Sequence, residues 1–189
     1  MDYKRFYAQL FKPIEERIGP IDPETIMAIV GFDFGGPVSL RTVGHAREPF
    51  VTHVSCELAV RDGQRTGESG PFEVMLTCND EGWARKILTR LAQMSFDSLF
   101  GHGHTIDIGP LAAADDPMQG LIVEEFARVP IDGRDYCILR VHGITRSELE
   151  FAMRFGAGDV LTGLMRSGLY PNTNVYRRES IVTTRLETA

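Results

Sequence analysis

Residues 79–111 constrain the fold most, because they join an amphipathic helix to a glycine–histidine loop and a short strand. Apolar side chains recur at helical spacing from Trp83 to Leu99, with charged and polar residues between them. Asn79 or Asp80 can cap the first turn by accepting unpaired backbone N–H groups. The spacing therefore predicts a helix that must lie on an apolar surface.

The end of this stretch predicts a loop and a strand. Gly101-His102-Gly103-His104 cannot continue the helix without a large cost in backbone entropy. Thr105 to Ile108 then reads as a short strand that Gly109-Pro110 closes. Helix, loop and strand are expected to form one unit.

Further strands are indicated in pairs along the chain. We predict a hairpin from residues 25–34 and 38–43, joined by Gly35-Gly36. A second pair comprises residues 52–60 and 72–78, and a third comprises residues 121–126 and 136–141. Strands joined in sequence by short loops favour antiparallel pairing.

Helices are predicted at both ends of the strand-rich region. Residues 2–18 carry apolar side chains at spacings of three and four, and Pro13 is expected to kink or split that helix. Thr145 with Glu148 has the pattern of a capping box, opening a helix interrupted at residues 156–158 and stopped near Gly168. The polar tail from residue 170 to 189 is expected to be partly extended or loose.

Together these patterns predict an α+β fold: a single domain over residues 1–189 with a mixed, mainly antiparallel sheet packed with helices. The 189 residues, 43% of them hydrophobic, are enough for one self-sufficient core. The side chains expected to be largely buried are Trp83, Ile87, Leu88, Leu91, Leu149, Ala152 and Leu161.

Composition also limits location and partners. The chain has no apolar run of membrane-spanning length and no signal-peptide pattern at its start, so we expect a cytoplasmic protein with no membrane partner. Cys56, Cys78 and Cys137 lack C-x-x-C spacing and read as reduced core thiols. The formal net charge of −6 argues against nucleic-acid binding and suits a basic protein partner. An oligomeric state is not indicated.

Three blocks of sequence resemble the suppressor-of-fused-like domain family. The blocks are Leu40-Arg41-Thr42-Val43-Gly44, the segment from Trp83 through the Gly-His loop to Leu111, and Ile138–Ile144 followed by Thr145, Glu148-Leu149 and Ala152. Their order and spacing cover roughly residues 25–167. The resemblance implies an α+β domain that binds other proteins and has no catalytic activity or cofactor.

The resemblance also implies a choice of partner. Animal members restrain a zinc-finger transcription factor of the Hedgehog pathway and grip an extended peptide between this domain and a second, C-terminal one. Bacterial members are often single domains encoded among toxin systems, and they are proposed to be immunity proteins. Met94 and Gly103 stand where the animal domain carries a Tyr and an Asp that touch the peptide, while His104 matches a family histidine. We therefore expect a single-domain, bacterial-type member that neutralises a toxin by direct binding.

A second interpretation uses the same loop for chemistry. His102 and His104 alternate on an apparently extended segment, and Asp107 is close in sequence, so the three could hold a metal or support a His-based hydrolase. No third ligand and no nucleophile motif accompany them. A regulatory adaptor that binds an extended peptide by strand addition is a further alternative. The favoured reading assigns no catalytic, cofactor or metal residue.

We expect partner binding at His102, Gly103, His104, Thr105, Ile106 and Asp107. A glycine-rich loop lets a partner approach the backbone closely. If the strand after it lies at a sheet edge, its N–H and C=O groups are available to an incoming extended segment from a toxin domain or a peptide. Proline at Ile106 is expected to remove one such donor.

Overall fold

The computed structural model of this chain describes residues 2–26, 29–44, 49–112 and 115–182. In chain order, the regular elements are α1 (Tyr3–Leu10), α2 (Lys12–Arg17), β1 (Leu40–Val43), β2 (Val51–Ser55), β3 (Phe72–Cys78), α3 (Glu81–Met94), β4 (Thr105–Asp107), β5 (Gly120–Ile131), β6 (Arg134–Ile144), α4 (Arg146–Phe155) and α5 (Ala157–Arg166). Short 3-10 helices lie at Phe32–Phe34 and Gly109–Leu111. None of the helices in these ranges combines the length and apolar character needed to cross a bilayer.

The strands form one six-stranded sheet in the order β1-β2-β3-β6-β5-β4. Neighbouring strands are antiparallel except β3 and β6, which run parallel with Phe72 opposite Cys137. The predicted α+β class with a mixed, mainly antiparallel sheet is confirmed. The two central strands are fully or almost fully buried, as expected for strands covered on both faces.

Helix α3 covers one face of the sheet. The Asp80 carboxylate caps it by accepting the N–H of Trp83 at 2.8 Å, as the sequence predicted. Ile87, Leu88 and Leu91 are buried against β3 and its neighbours, whereas Trp83 is only partly buried. The helix ends at Met94 because the Ser95 hydroxyl turns back and donates to the carbonyl of Ala92.

The predicted continuation of this helix to Leu99 is wrong. Residues 95–98 form tight turns, with the Asp97 and Ser98 N–H groups both donating to the Met94 carbonyl. Leu99 lies beyond them and is exposed. Its helical spacing was coincidental, since a single apolar residue does not fix a boundary.

The other face is covered by two helical pairs. Phe6, Leu10 and Ile14 of α1 and α2 pack over Val54, Met75 and Ile138. Pro13 lies in the first turn of α2, so the expected split is confirmed. Helices α4 and α5 pack over Ile122 and Ile144, burying Leu149, Ala152 and Leu161. The predicted Thr145–Glu148 capping box is present at the start of α4.

The predicted hairpin between residues 25–34 and 38–43 is wrong. Gly36 N–H donates to the Gly31 carbonyl at 3.1 Å, closing a local turn around the Phe32–Phe34 3-10 helix. A side chain at Gly36 would collide with the Val30 carbonyl. Strand β1 pairs with β2 instead, and Ile26 makes only an isolated bridge to Leu40. Residues 27 and 28 of the expected strand lie outside the described residues.

The second pair, β2 with β3, is antiparallel as predicted, but β2 stops at Ser55 rather than Val60. The chain leaves the sheet where the Glu57 carboxylate accepts the Ser39 N–H at 2.6 Å and binds Arg61. The three cysteines are free thiols: Cys78 and Cys137 are buried, and Cys56 is half-buried.

The polar tail is packed on the domain as far as residue 182, contrary to the expectation of a loose segment. Thr173 N–H donates to the Thr77 carbonyl at 2.8 Å, and Gly143 N–H donates to the Thr173 hydroxyl at 2.9 Å. Arg177 pairs at 2.6 Å with the fully buried Glu148 of α4. These long-range bonds are invisible to local sequence patterns. Residues 183–189 of the predicted tail lie outside the described residues.

Candidate functional site

Strand β4 forms one edge of the sheet, paired only with β5. Ile106 lies opposite Leu121, and two bonds define which groups face inward: Ile108 N–H donates to the Gln119 carbonyl at 3.0 Å, and Val123 N–H donates to the His104 carbonyl at 2.9 Å. Hydrogen-bonding positions alternate along an antiparallel strand. Thr105 and Asp107 therefore direct their N–H and C=O groups outward, away from β5.

The preceding loop is held by backbone bonds rather than by side-chain packing. Gly103 has φ +81°, a left-handed conformation that favours glycine, and its N–H donates to the Val123 carbonyl at 2.8 Å. His102 Nδ1 accepts the N–H of Glu125 at 3.3 Å. The loop thus extends the β4–β5 ladder, and its bonds to β5 lie on the inner side of the edge.

The six residues assigned to partner binding differ in exposure. His102, Gly103, His104 and Asp107 are exposed, and Thr105 is half-buried. Ile106 is only 8% exposed and belongs to the core beneath α3. By the same alternation, its N–H faces β5, so proline at Ile106 would break the native ladder instead of removing an outward donor. The outward donors belong to Thr105 and Asp107.

The Asp107 carboxylate forms an ion pair with an arginine of α4. Arg146 of α4 donates to its two carboxylate oxygens at 2.8 and 3.1 Å, and the Gly109 N–H donates at 2.8 Å. The hydrogen bond from Arg146 lowers the pKa of Asp107. Both side chains are about half exposed, so the pair orders the end of β4 but contributes little stability.

The loop histidines and Asp107 do not form the arrangement that the metal or hydrolase interpretation needs. The left-handed Gly103 breaks the extended geometry that would place His102 and His104 on one side. Asp107 contacts Arg146 rather than a histidine. Within residues 2–26, 29–44, 49–112 and 115–182, no group of three His, Cys, Asp or Glu side chains could hold a metal ion.

Sequence reasoning missed a polar cluster beside this edge, on the face that α4 covers. Glu124 of β5 accepts from His142 at 3.0 Å and from the Tyr170 hydroxyl at 3.0 Å, and Arg140 donates to Tyr170 at 2.8 Å. Burial lowers the pKa of His142, which favours its neutral form. The cluster fixes the start of the tail to the sheet. Polar residues inside two predicted buried strands were the available signal.

The β1 edge contrasts with the β4 edge. Leu40 and Ile26 exchange two backbone hydrogen bonds of 3.1 and 2.8 Å, and Asp22 N–H donates to the Thr42 carbonyl at 2.9 Å. The segment from Pro20 to Ile26 therefore covers the outward groups of β1. Among the described residues, no hydrogen-bond partner covers the outward N–H groups of Thr105 and Asp107.

Comparison with known proteins matches this architecture. The crystal structure of a Sufu–Fu complex superposes with a TM-score of 0.72 at 15% identity, covering 98% of this chain and 94% of that one. Drosophila Suppressor of Fused gives a TM-score of 0.72 at 16% identity, covering 96% of this chain and 51% of that one. This chain therefore spans about half of the Drosophila structure. No curated protein sequence matches it.

The family is established by sequence as well as by fold. The model for the Suppressor of fused protein (SUFU) family matches residues 37–178, which is most of the chain and includes every strand of the sheet. At the identities given above, the structural superpositions add agreement in fold alone. The chain belongs to the Suppressor of fused family.

Proposed function

We propose that this chain is a non-enzymatic protein-binding domain that takes an extended segment of its partner onto the β4 edge. The observation that carries the proposal is the outward N–H groups of Thr105 and Asp107, which have no partner within the described residues and lie beside an exposed glycine–histidine loop. An incoming strand satisfies such groups and gains affinity from main-chain hydrogen bonds. A solved relative in complex with Fu supports protein binding as the general role.

The partner we propose is a bacterial toxin domain, which makes the chain an immunity protein. The net charge of −6 would speed association with a basic toxin by electrostatic steering. The bacterial-type resemblance supports this choice over a regulatory adaptor. The single-domain boundary at residues 1–189 and the cytoplasmic location stay predictions.

The edge hypothesis is tested by removing one outward donor. Thr105→Pro deletes the N–H that faces away from β5, whereas Thr105→Val keeps the N–H and the preference for a strand. Peptides selected against the wild-type protein from a random decapeptide display library serve as the probe. We expect Thr105→Pro to weaken their binding by about tenfold or more, the worth of one or two lost hydrogen bonds, and Thr105→Val to bind normally.

Equal binding by both variants would contradict strand addition at β4. The immunity role has a separate test, in which the protein encoded beside this chain in its genome is expressed in a bacterial host. Growth arrest by that protein, relieved by co-expression of this chain, supports the role. A harmless neighbour, or arrest without relief, counts against it and leaves the edge hypothesis intact.

A further inference from the structure

A groove of about 520 Å³ runs along the outer side of α3, and none of residues 102–107 lines it. Its apolar lining comes from Ile26, Pro37, Val38 and Leu111. The remaining wall is the solvent face of α3, which contributes Arg85, Lys86, Thr89, Arg90 and Gln93. A concave surface with an apolar lining and a polar wall is typical of a site that receives another molecule.

The charge of this groove is opposite to that of the whole chain. Three cations line it, and no carboxylate is among the described residues that do so. Arg85 makes a 3.5 Å surface pair with Glu81, and Arg90 donates to the neutral Gln93. Lys86 makes no ion pair within the described residues. The groove is therefore a local basic surface on an acidic protein.

Large apolar side chains are exposed in the chain segment that leads into the groove. Ile29 is 106% exposed and Phe34 is 87% exposed, and Val30 between them is also exposed. They precede Gly35 and Pro37, which line the groove itself. Exposed large apolar side chains favour association with a partner, because each would gain by leaving water.

We propose that this groove, comprising the outer face of α3 with Ile26, Gly35, Pro37, Val38 and Leu111, is a second protein-docking surface that accepts an acidic amphipathic helix of a partner. Lys86 and Arg90 are four residues apart on α3, so their charges are about 6 Å apart along its axis. Carboxylates at i and i+4 on a partner helix have the same spacing. Its apolar side chains would contact Pro37, Leu111 and Phe34. The lining of this surface shares no residue with strand β4.

The probe is a fluorescent 18-residue helical peptide with Glu at i and i+4 on one side and Leu on the adjoining side. Fluorescence anisotropy measures its binding to the full chain. We expect saturable binding that weakens as salt rises. A peptide of the same composition with scrambled order has the same charge but no amphipathic face, and we expect it to bind at least about tenfold more weakly because it loses the apolar contacts.

Two double variants distinguish binding at the groove from a general effect of net charge. Lys86→Glu/Arg90→Glu should weaken binding by more than about tenfold, because like charges then face each other. Lys12→Glu/Arg154→Glu changes the net charge by the same amount on α2 and α4, and should have a much smaller effect.

A second pair of variants tests the apolar contacts. Phe34→Ser should weaken binding, whereas Met153→Ser, which removes a similarly exposed apolar side chain from α4, should not. Circular dichroism and melting curves confirm that all four variants fold.

Three results would overturn the proposal. The first is equal loss of binding in both charge variants, which would indicate net charge alone. The second is equal binding of the scrambled peptide. The third is binding of phosphatidylglycerol vesicles, abolished by Lys86→Glu/Arg90→Glu, with no binding of the helical peptide, which would assign the groove to a membrane surface.

Discussion

The outward backbone groups of Leu40 at the β1 edge are bonded to Ile26, whereas those of Thr105 at the β4 edge have no partner within the described residues. Both edge strands are short, with four and three residues, so length does not explain the difference. What differs is the preceding chain. Before β1, the segment from Pro20 to Ile26 runs back along the strand and bonds to it. Before β4, the Gly103 N–H and the His104 carbonyl bond to Val123 of β5 instead.

This contrast separates an edge whose outward groups are bonded from one whose outward N–H groups have no partner among the described residues. Proteins usually cover or shorten exposed edges because unpaired strands invite association. The segment from Pro20 to Ile26 covers β1, whereas β4 is short, lies next to an exposed loop and has no such cover among the described residues. A comparison of matched substitutions at the two edges can therefore test whether the open edge is functional.

The largest loss of stability should come from a substitution in α3, because the core beneath this helix supports both edge strands. Leu91 of α3 is 1% exposed and lies in the core that extends from Leu40 to Ile106. We expect Leu91→Ala to lower the free energy of unfolding by about 2–5 kcal/mol. Chemical denaturation measures the change. An unaltered midpoint would mean that the core does not support the edges as described.

The next effect concerns Glu73, a fully buried carboxyl on the face covered by α1. It accepts from Tyr7, Ser55 and Ala59, yet burial outweighs these bonds and raises the pKa of Glu73 to about 7. Since the folded state holds this proton more tightly than the unfolded state, its contribution to stability is full below about pH 4.5 and is lost as pH rises to about 7.

We expect the wild type to lose about 3 kcal/mol relative to Glu73→Gln across that pH interval. Denaturation of both proteins at several pH values measures the difference. A difference that stays constant with pH would show that Glu73 titrates normally. Because Glu73 lies far from β4, strand addition at that edge should be insensitive to this substitution.

One proline substitution at each edge compares how much the outward hydrogen bonds of that edge contribute to stability. Ile26→Pro removes the N–H that donates to the Leu40 carbonyl, so we expect a loss of about 1–3 kcal/mol. Thr105→Pro removes an N–H that no described group accepts, so its cost should be near 0.5 kcal/mol. Thermal melting of the two variants gives the comparison. Equal losses would show that the β4 edge is bonded in the folded protein.

The smallest effect is expected at the ion pair that borders the open edge. Arg146→Ala should cost less than about 1 kcal/mol, because both partners are about half exposed. The Asp107 carboxyl should then titrate at a higher pH, since the hydrogen bond from Arg146 lowers its pKa. Nuclear magnetic resonance titration of Asp107 reports this directly, and an unmoved pKa would mean that the pair does not form in solution.

Local signals in the sequence predicted much of the fold. The Asp80 cap, the Thr145–Glu148 capping box and the apolar stripe of α3 depend on residues within a few positions of each other, and all three are present. The hairpin predicted at residues 25–43 failed because β1 pairs with β2, and the local sequence around β1 does not specify that partner. The parallel pairing of β3 with β6 also joins distant segments, and no local pattern specifies it.

The candidate site was predictable only in outline. Glycine and histidine composition located the loop before β4, but strand order was needed to place β4 at an edge. The register was needed to show that Thr105, not Ile106, presents an outward N–H. The basic groove was not predictable, because Lys86 and Arg90 have the spacing of an ordinary solvated helix face and only the fold places Pro37 and Leu111 beside them.

Amide hydrogen exchange of Thr105, with and without a library-selected peptide, tests the central claim most directly. In the free protein we expect the Thr105 amide to exchange quickly and the Leu40 amide slowly, because only Leu40 has a bonded outward N–H. With the peptide bound, the Thr105 amide should become strongly protected while the Leu40 amide stays unchanged. Saturating peptide that leaves Thr105 exchange unaltered would contradict strand addition at the β4 edge.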